Sequence, residues 1–251
     1  MKKPPLILAA SMALLTTGCI TVYADSLDFK ENKQLTLNAS DLKNLQIDAT
    51  AGFLIVTGSD VSQIEVTADI ETFNDKFNLS LKAKGDTAVL IADLGKSRSI
   101  SWGNNSPRID LTVKVPSSLN LKIDDGSGAI TINNVKSISK LDDGSGSIKI
   151  SEVHGNVNIE DGSGSLTIKD VGGNVVINDG SGSITAEKIA GYLNVEDGSG
   201  SMEISDVSGL VTIDDGSGSI NLKNLRNGLT IIEEGSGGLH MSDIEGPVSI
   251  K

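Results

Sequence analysis

The chain has 251 residues, 28 of them glycine, and aromatic residues make up only 3% of it. Its core must therefore be built from Val, Ile and Leu, which suits thin, layered β-structure better than a globule around large rings. A formal charge of -12 excludes a broad basic surface for nucleic acid or anionic lipid and favours solubility.

The N-terminus reads as an export signal. Lys2 and Lys3 form a charged start, and Leu6 to Leu15 is an apolar run too short to span a bilayer as a helix. The run leads into Leu15-Thr16-Thr17-Gly18-Cys19, which resembles the lipobox of a lipoprotein signal peptide. The resemblance implies removal of residues 1–18 and acylation of Cys19. With Ile20 rather than Asp next in line, it also implies transfer to the outer membrane in a Gram-negative cell. Cys19 is the only cysteine, so no intrachain disulfide can form. Val22 and Ala24 offer a rival cleavage site, after which the protein would be soluble in the periplasm or secreted. Residues 19–33 would be a tether.

Residues 34–124 form an irregular β region expected to cap the more regular C-terminal half. Strand candidates are Gln34 to Leu37, Leu45 to Asp48, Phe53 to Thr57 and Gln63 to Asp69. Further candidates are Phe77 to Lys82, Thr87 to Ala92, Ile109 to Val115 and Leu119 to Ile123. Lys96 to Arg108 reads as a long polar loop carrying the only tryptophan, Trp102, and loops on rigid scaffolds often bind. The competing reading packs Trp102 back on the first coil.

From residue 125 the sequence repeats. Asp-Gly-Ser-Gly begins at Asp125, Asp143, Asp161, Asp179, Asp197 and Asp215, always 18 residues apart. A seventh copy starts at Glu234, 19 residues after the sixth. The extra residue is expected between Leu225 and Ile232, as a β-bulge. Each unit has two alternating strands and two turns. In one unit the inward set is Ile148, Ile150, Val153, Val157 and Ile159, and in the next it is Leu166, Ile168, Val171, Val175 and Ile177. One coil cannot bury such a face, but stacked coils make a continuous aliphatic column. Covering each side chain is worth roughly 1.5–3 kcal/mol. Hexapeptide helices need an apolar residue every six positions, and Ca²⁺-binding nonapeptide rolls place Asp after Gly-x-Gly, not before it. The expected fold is therefore an all-β solenoid of seven flattened, right-handed, two-strand coils over 125–251.

Ile109 to Pro116, Leu119-Asn120-Leu121 and the recurring Gly-Ser-Gly-x-Ile-x-Ile and Gly-x-Val-x-Ile units resemble the bacterial "putative adhesin" β-strand-repeat family, a domain of unknown function. The resemblance covers roughly residues 40 to 251. It implies a β-solenoid on an exported, membrane-tethered protein and brings no catalytic motif with it.

The six turn aspartates should stack one above another, beside Asp124, Asp142, Glu160, Asn178, Glu196 and Asp214. Two carboxylates about 4.8 Å apart repel by about 3.5 kcal/mol at an effective dielectric constant of 20. The columns must then face water or share hydrogen bonds or cations. One account is an Asx-type turn in which each Asp accepts from the amides after it. The other is a row of weak Ca²⁺ sites. Gly-Ser-Gly leads into a strand, not a helix, so it is no phosphate loop. His154 and His240 lie in different coils without metal-spaced or triad partners.

These features point to a non-enzymatic, structural or adhesin-like envelope lipoprotein, held to the membrane by its N-terminal lipid. The implied partner is a protein or a polysaccharide, with self-association through the coil ends also open, and no nucleic acid. No cofactor is implied unless the acidic turns take Ca²⁺. The alternative is a periplasmic, cation-responsive sensor or accessory protein.

Overall fold

A computed structural model describes residues 27–95 and 106–251. Cys19 and Trp102 lie outside the described residues. The strands before the repeat are β1 (Phe29–Asn38), β2 (Asn44–Ala49), β3 (Leu54–Ser59), β4 (Gln63–Thr72), β5 (Asn78–Lys84), β6 (Thr87–Asp93), β7 (Arg108–Pro116) and β8 (Asn120–Asp125). All eight strand candidates of the N-terminal region are strands, and the described residues contain no helix.

The repeat alternates a longer and a shorter strand. The longer ones are β9 (Gly128–Val135), β11 (Gly146–Val153), β13 (Gly164–Val171), β15 (Gly182–Ile189), β17 (Gly200–Val207), β19 (Gly218–Leu225) and β21 (Leu239–Ile244). The others are β10 (Ser137–Asp143), β12 (Val157–Asp161), β14 (Val175–Asp179), β16 (Leu193–Asp197), β18 (Val211–Asp215), β20 (Leu229–Glu233) and β22 (Val248–Ile250).

These strands build two 11-stranded sheets facing each other. Sheet I runs β1-β4-β7-β3-β9-β11-β13-β15-β17-β19-β21, and sheet II runs β5-β6-β2-β8-β10-β12-β14-β16-β18-β20-β22. Each repeat contributes one strand to each sheet and pairs in parallel with the coil 18 residues away, as in Ile148↔Leu166 and Ile159↔Ile177. The fold is a β-solenoid. Every member of the two inward sets is at most 2% exposed.

The stack does not begin at residue 125. β2 and β3 pair in parallel with β8 and β9, so they form a coil beneath the first repeat. β6 and β7 form another coil beneath that one. The chain therefore steps over the β2–β3 coil when it passes from β7 to β8. β1 and β4 on sheet I and β5 on sheet II join antiparallel and close the N-terminal end. That reversal of direction stops further parallel growth and guards the edge.

Two irregularities are resolved by register. Ile213 faces Ile231 and Asp214 faces Glu233, so Ile232 is the extra residue of the 19-residue interval and bulges out, 44% exposed. In β10 the partners of Ile138 and Lys140 are Leu121 and Lys122, which makes Ser139 a second extra residue. The preceding turn is one residue shorter than its equivalents, so the 18-residue period survives. The Ser139 hydroxyl donates to the Leu121 carbonyl at 2.9 Å and ties the bulge down.

A column of left-handed residues also runs up sheet I. Asn134, Glu152, Asp170, Lys188, Asp206, Asn224 and Asp243 all have φ between 55° and 57° and precede the inward Val, Ile or Leu that ends each strand. Asn and Asp tolerate this conformation, while Glu and Lys strain in it. Glu152→Asn should therefore stabilise the protein by roughly 0.5–1 kcal/mol, read as a higher urea midpoint with an unchanged slope.

Candidate functional site

Alternation along the sheet II strands places the turn aspartates. In β12, Val157 and Ile159 point inward, and the next inward position is Asp161. The same holds in each coil, so Asp125, Asp143, Asp161, Asp179, Asp197 and Asp215 form an inward ladder at one corner of the core, each at most 5% exposed. The expectation of stacking is met, and of the alternatives left open, solvent exposure fails. The outer neighbours Asp124, Glu160, Asn178 and Glu196 are exposed, and Asp142 and Asp214 partly so.

One oxygen of each central carboxylate closes an Asx turn. Oδ1 of Asp143, Asp161, Asp179 and Asp197 accepts from the backbone N–H of Ser145, Ser163, Ser181 and Ser199 at 3.1–3.2 Å. Their Oδ2 atoms are buried without a partner, and at Asp125 and Asp215 neither oxygen is paired. Asp125 sits over Ala49, which sits over Ala92, so the lower end of the ladder abuts an apolar floor. At the upper end the seventh acid, Glu234, is exposed.

Burial raises the proton affinity of all six. Desolvation is the leading cause at every one. It is strongest at Asp125, whose pKa is pushed up to about 7 with help from the charges of Asp143 and Asp124. Asp143 and Asp179 rise to about 6, each also repelled by Asp161. Carboxyl groups of this kind can hold protons near neutrality and share them with the layer above or below. Among the described residues, no three His, Cys, Asp or Glu side chains are grouped as a metal ion would need. A Ca²⁺ site also needs six to eight oxygens, and a one-dimensional ladder does not wrap them around one point.

The histidines do not join this ladder. The His154 ring nitrogen Nε2 lies 3.3 Å from Asn134 Oδ1 at the surface, and His240 is exposed on β21. The inward position of the aspartates was visible in the Val157, Ile159, Asp161 spacing, which simply continues the core alternation past the last aliphatic residue.

No family model matches the chain, and no curated protein matches it. Several solved structures do. One, from Clostridium sporogenes, is described as a "putative cell adhesion protein"; it is 13% identical, covers 89% of this chain and 99% of its own, and has a TM-score of 0.40. Another, from Bacteroides fragilis, is described as a "putative adhesin", with 12% identity, coverage of 88% and 97%, and a TM-score of 0.46. A third, from Parabacteroides distasonis, is described as a "putative lipid binding protein", with 16% identity, coverage of 88% and 96%, and a TM-score of 0.37. Two of these descriptions are of the kind to which the repeat pattern is similar. With TM-scores below 0.5, the likenesses carry no argument about ligand or activity.

Proposed function

We propose that the protein is an exported, non-enzymatic envelope lipoprotein, anchored through acylated Cys19 at the outer membrane, whose rigid solenoid serves as an adhesin-like or structural surface module. The observation that carries this reading is the uniformity of the stack. From β8 onward every connection is a tight turn, the longest running from Glu234 to Gly238. A catalytic cleft needs inserted loops that bring acids, bases or metals together, and these coils supply flat faces instead. Protease treatment of intact cells should remove the solenoid, and deletion of the gene should reduce attachment. Full protection of the protein together with unchanged attachment would overturn the reading. Cys19→Ser should move the protein from the membrane to the soluble fraction, with mass spectrometry of the mature N-terminus as the check. The polar segment around Trp102 is a second candidate contact. If Trp102→Ala keeps all attachment, that segment is not the contact.

The buried acidic ladder favours a second reading, a periplasm-facing accessory protein that responds to its ionic surroundings. Its stacked geometry suits protons better than divalent ions. Calorimetric titration with Ca²⁺ is expected to give no heat and no change in melting temperature. A stoichiometric heat signal that disappears in Asp161→Asn would restore the cation-responsive form of this reading.

A further inference from the structure

The outer face of sheet II carries a polar trough whose upper half is uncharged and whose lower half holds one cation, Lys122. Two shallow depressions of about 190 and about 330 Å³ meet at Ser139. The lower one is lined by Asn44, Thr87 and Asn120, and the upper one by Asn156, Asn158, Asn174 and Tyr192. Along its floor the side chains brace one another from coil to coil. Asn120 Nδ2 donates to Asn44 Oδ1 at 3.2 Å, and Ser137 Oγ donates to Asn120 Oδ1 at 2.7 Å. The backbone N–H of Asn174 donates to Asn156 Oδ1 at 2.9 Å, and that of Tyr192 to Asn174 Oδ1 at 3.1 Å. These bonds use the carboxamide oxygens and fix the orientation of the amides. No hydrogen bond within the described residues uses the Nδ2 of Asn156 or Asn174, or any side-chain atom of Asn158. Tyr192 closes the row with its side chain 47% exposed, in a chain with few aromatic residues.

We infer that this trough, with Tyr192 as its stacking platform and the Asn156, Asn158 and Asn174 amides as its hydrogen-bond donors, binds an uncharged glycan chain along the solenoid axis. The inference rests on the adhesive reading and names the ligand class for it. Sugar hydroxyls both donate and accept, which suits fixed carboxamides, and the apolar face of a pyranose ring suits an exposed tyrosine. The other common polymers fit less well. Strands β12, β14 and β16 are already paired on both sides, so a peptide cannot add a strand to this face. The apolar surface is limited to Tyr192, Val176 and neighbouring Leu210, too little to seat an amphipathic helix. The upper depression holds no cation, Glu160 and Glu196 are exposed on its strands β12 and β16, and the chain carries a charge of -12, so the single Lys122 of the lower depression is outweighed and a polyanion is disfavoured.

The test is isothermal titration calorimetry of the mature chain with three neutral probes, cellohexaose, maltohexaose and chitohexaose, and with polygalacturonate as the polyanionic counter-probe. At least one neutral probe should bind. Tyr192→Ala should weaken it about tenfold or more, as truncation of a central aromatic anchor does. Asn158→Asp should weaken it as well. Because Tyr192 is exposed, its truncation should leave the melting temperature unchanged, which separates lost binding from lost folding. Binding by none of the neutral probes, binding only to polygalacturonate, or an unchanged affinity in Tyr192→Ala would each overturn the inference. Cells carrying Tyr192→Ala that still attach, while deletion cells do not, would leave the adhesive reading standing and remove the trough from it.

Discussion

Replacing Asp179 by asparagine should raise the melting temperature at about pH 8 and change it little at about pH 4. The Asp179 carboxyl is 2% exposed, its Oδ2 has no partner, and burial lifts its pKa to about 6. A group whose folded-state pKa lies above its unfolded value stabilises the fold most when protonated. That contribution is complete below the unfolded value and is lost as pH rises through the folded one. Asparagine keeps the Oδ1 that accepts from Ser181 N–H at 3.2 Å and puts a neutral donor in place of the orphaned oxygen. A tenfold change in proton affinity is worth about 1.4 kcal/mol, so the gain at alkaline pH is on the order of 2 kcal/mol after allowing for solvent screening at the turn. For a chain of this size that is roughly 4–8 °C. A lower melting temperature at both pH values would mean that the carboxylate is held by a partner the ladder does not show.

The wild-type protein should change with pH in the same direction. All six ladder carboxyls have raised proton affinity, with burial as the first cause. The charged groups that add to this are themselves acidic: Asp124 beside Asp125, Asp142 beside Asp143 and Asp214 beside Asp215. Lys140, a cation on that face, is already engaged by Asp142 at 3.0 Å and Glu160 at 2.8 Å. Stability should therefore fall as pH rises from about 4 through the Asp143, Asp179 and Asp125 values of about 6, 6 and 7, the reverse of ordinary acid denaturation. Melting curves across that range are the check, and a profile that rises steadily toward pH 8 would sink the account. Protons held by part of the ladder would make a column of buried acids tolerable. Fully ionised neighbours about 4.8 Å apart would repel by several kcal/mol.

The parts of the fold legible in the sequence are the parts that repeat. The 18-residue interval implies the stacking, because identical inward positions such as Ile159 and Ile177 can only be covered by one another. The same comparison located the extra residue of the last interval, since one surplus position in a periodic pattern has to bulge. Non-repeating features were harder to read. Nothing in β2 or β3 marks them as a coil inserted between β6–β7 and β8–β9, because parallel pairing between dissimilar strands has no turn signature to set its register. The Ser139 bulge is invisible to a period count, because the short turn before it cancels the insertion. The left-handed column had a weak signal in Asn134, Asp170, Asp206, Asn224 and Asp243, but Glu152 and Lys188 interrupt it. At the acidic corner, charge suggested exposure while the alternation pattern demanded burial. The alternation prevailed because each strand is pinned by its neighbours' register, so one side chain cannot turn outward alone.

That same pinning makes the corner glycines sensitive to any added side chain. Gly182→Ala should cost about 3 kcal/mol or more and loosen the stack between β13 and β15. Gly182 has a φ of +149°, and a Cβ there would stand 1.6 Å from the Gly164 carbonyl oxygen of the coil below. The obstacle is backbone that is itself part of a ladder, since Gly164 N–H donates to Ser181 O at 2.9 Å. Relief would require the two coils to separate, which also exposes Ile184 and Leu166 of the core column. Gly85→Ala is the control for a positive-φ glycine with room around it. Its φ of +63° lies in the left-handed region that Glu152 and Lys188 also occupy, and a Cβ there meets nothing within 4 Å, so its cost should be about 1 kcal/mol. Equal melting temperatures for the two variants would show that the corners have room to spare. A clearly larger loss in Gly182→Ala than in Gly85→Ala, with amide hydrogen exchange accelerated in β13 and β15 ahead of the outer coils, is the expected result. It would show that the coils are held together at the corner, where the absence of a side chain lets each turn rest on the one below.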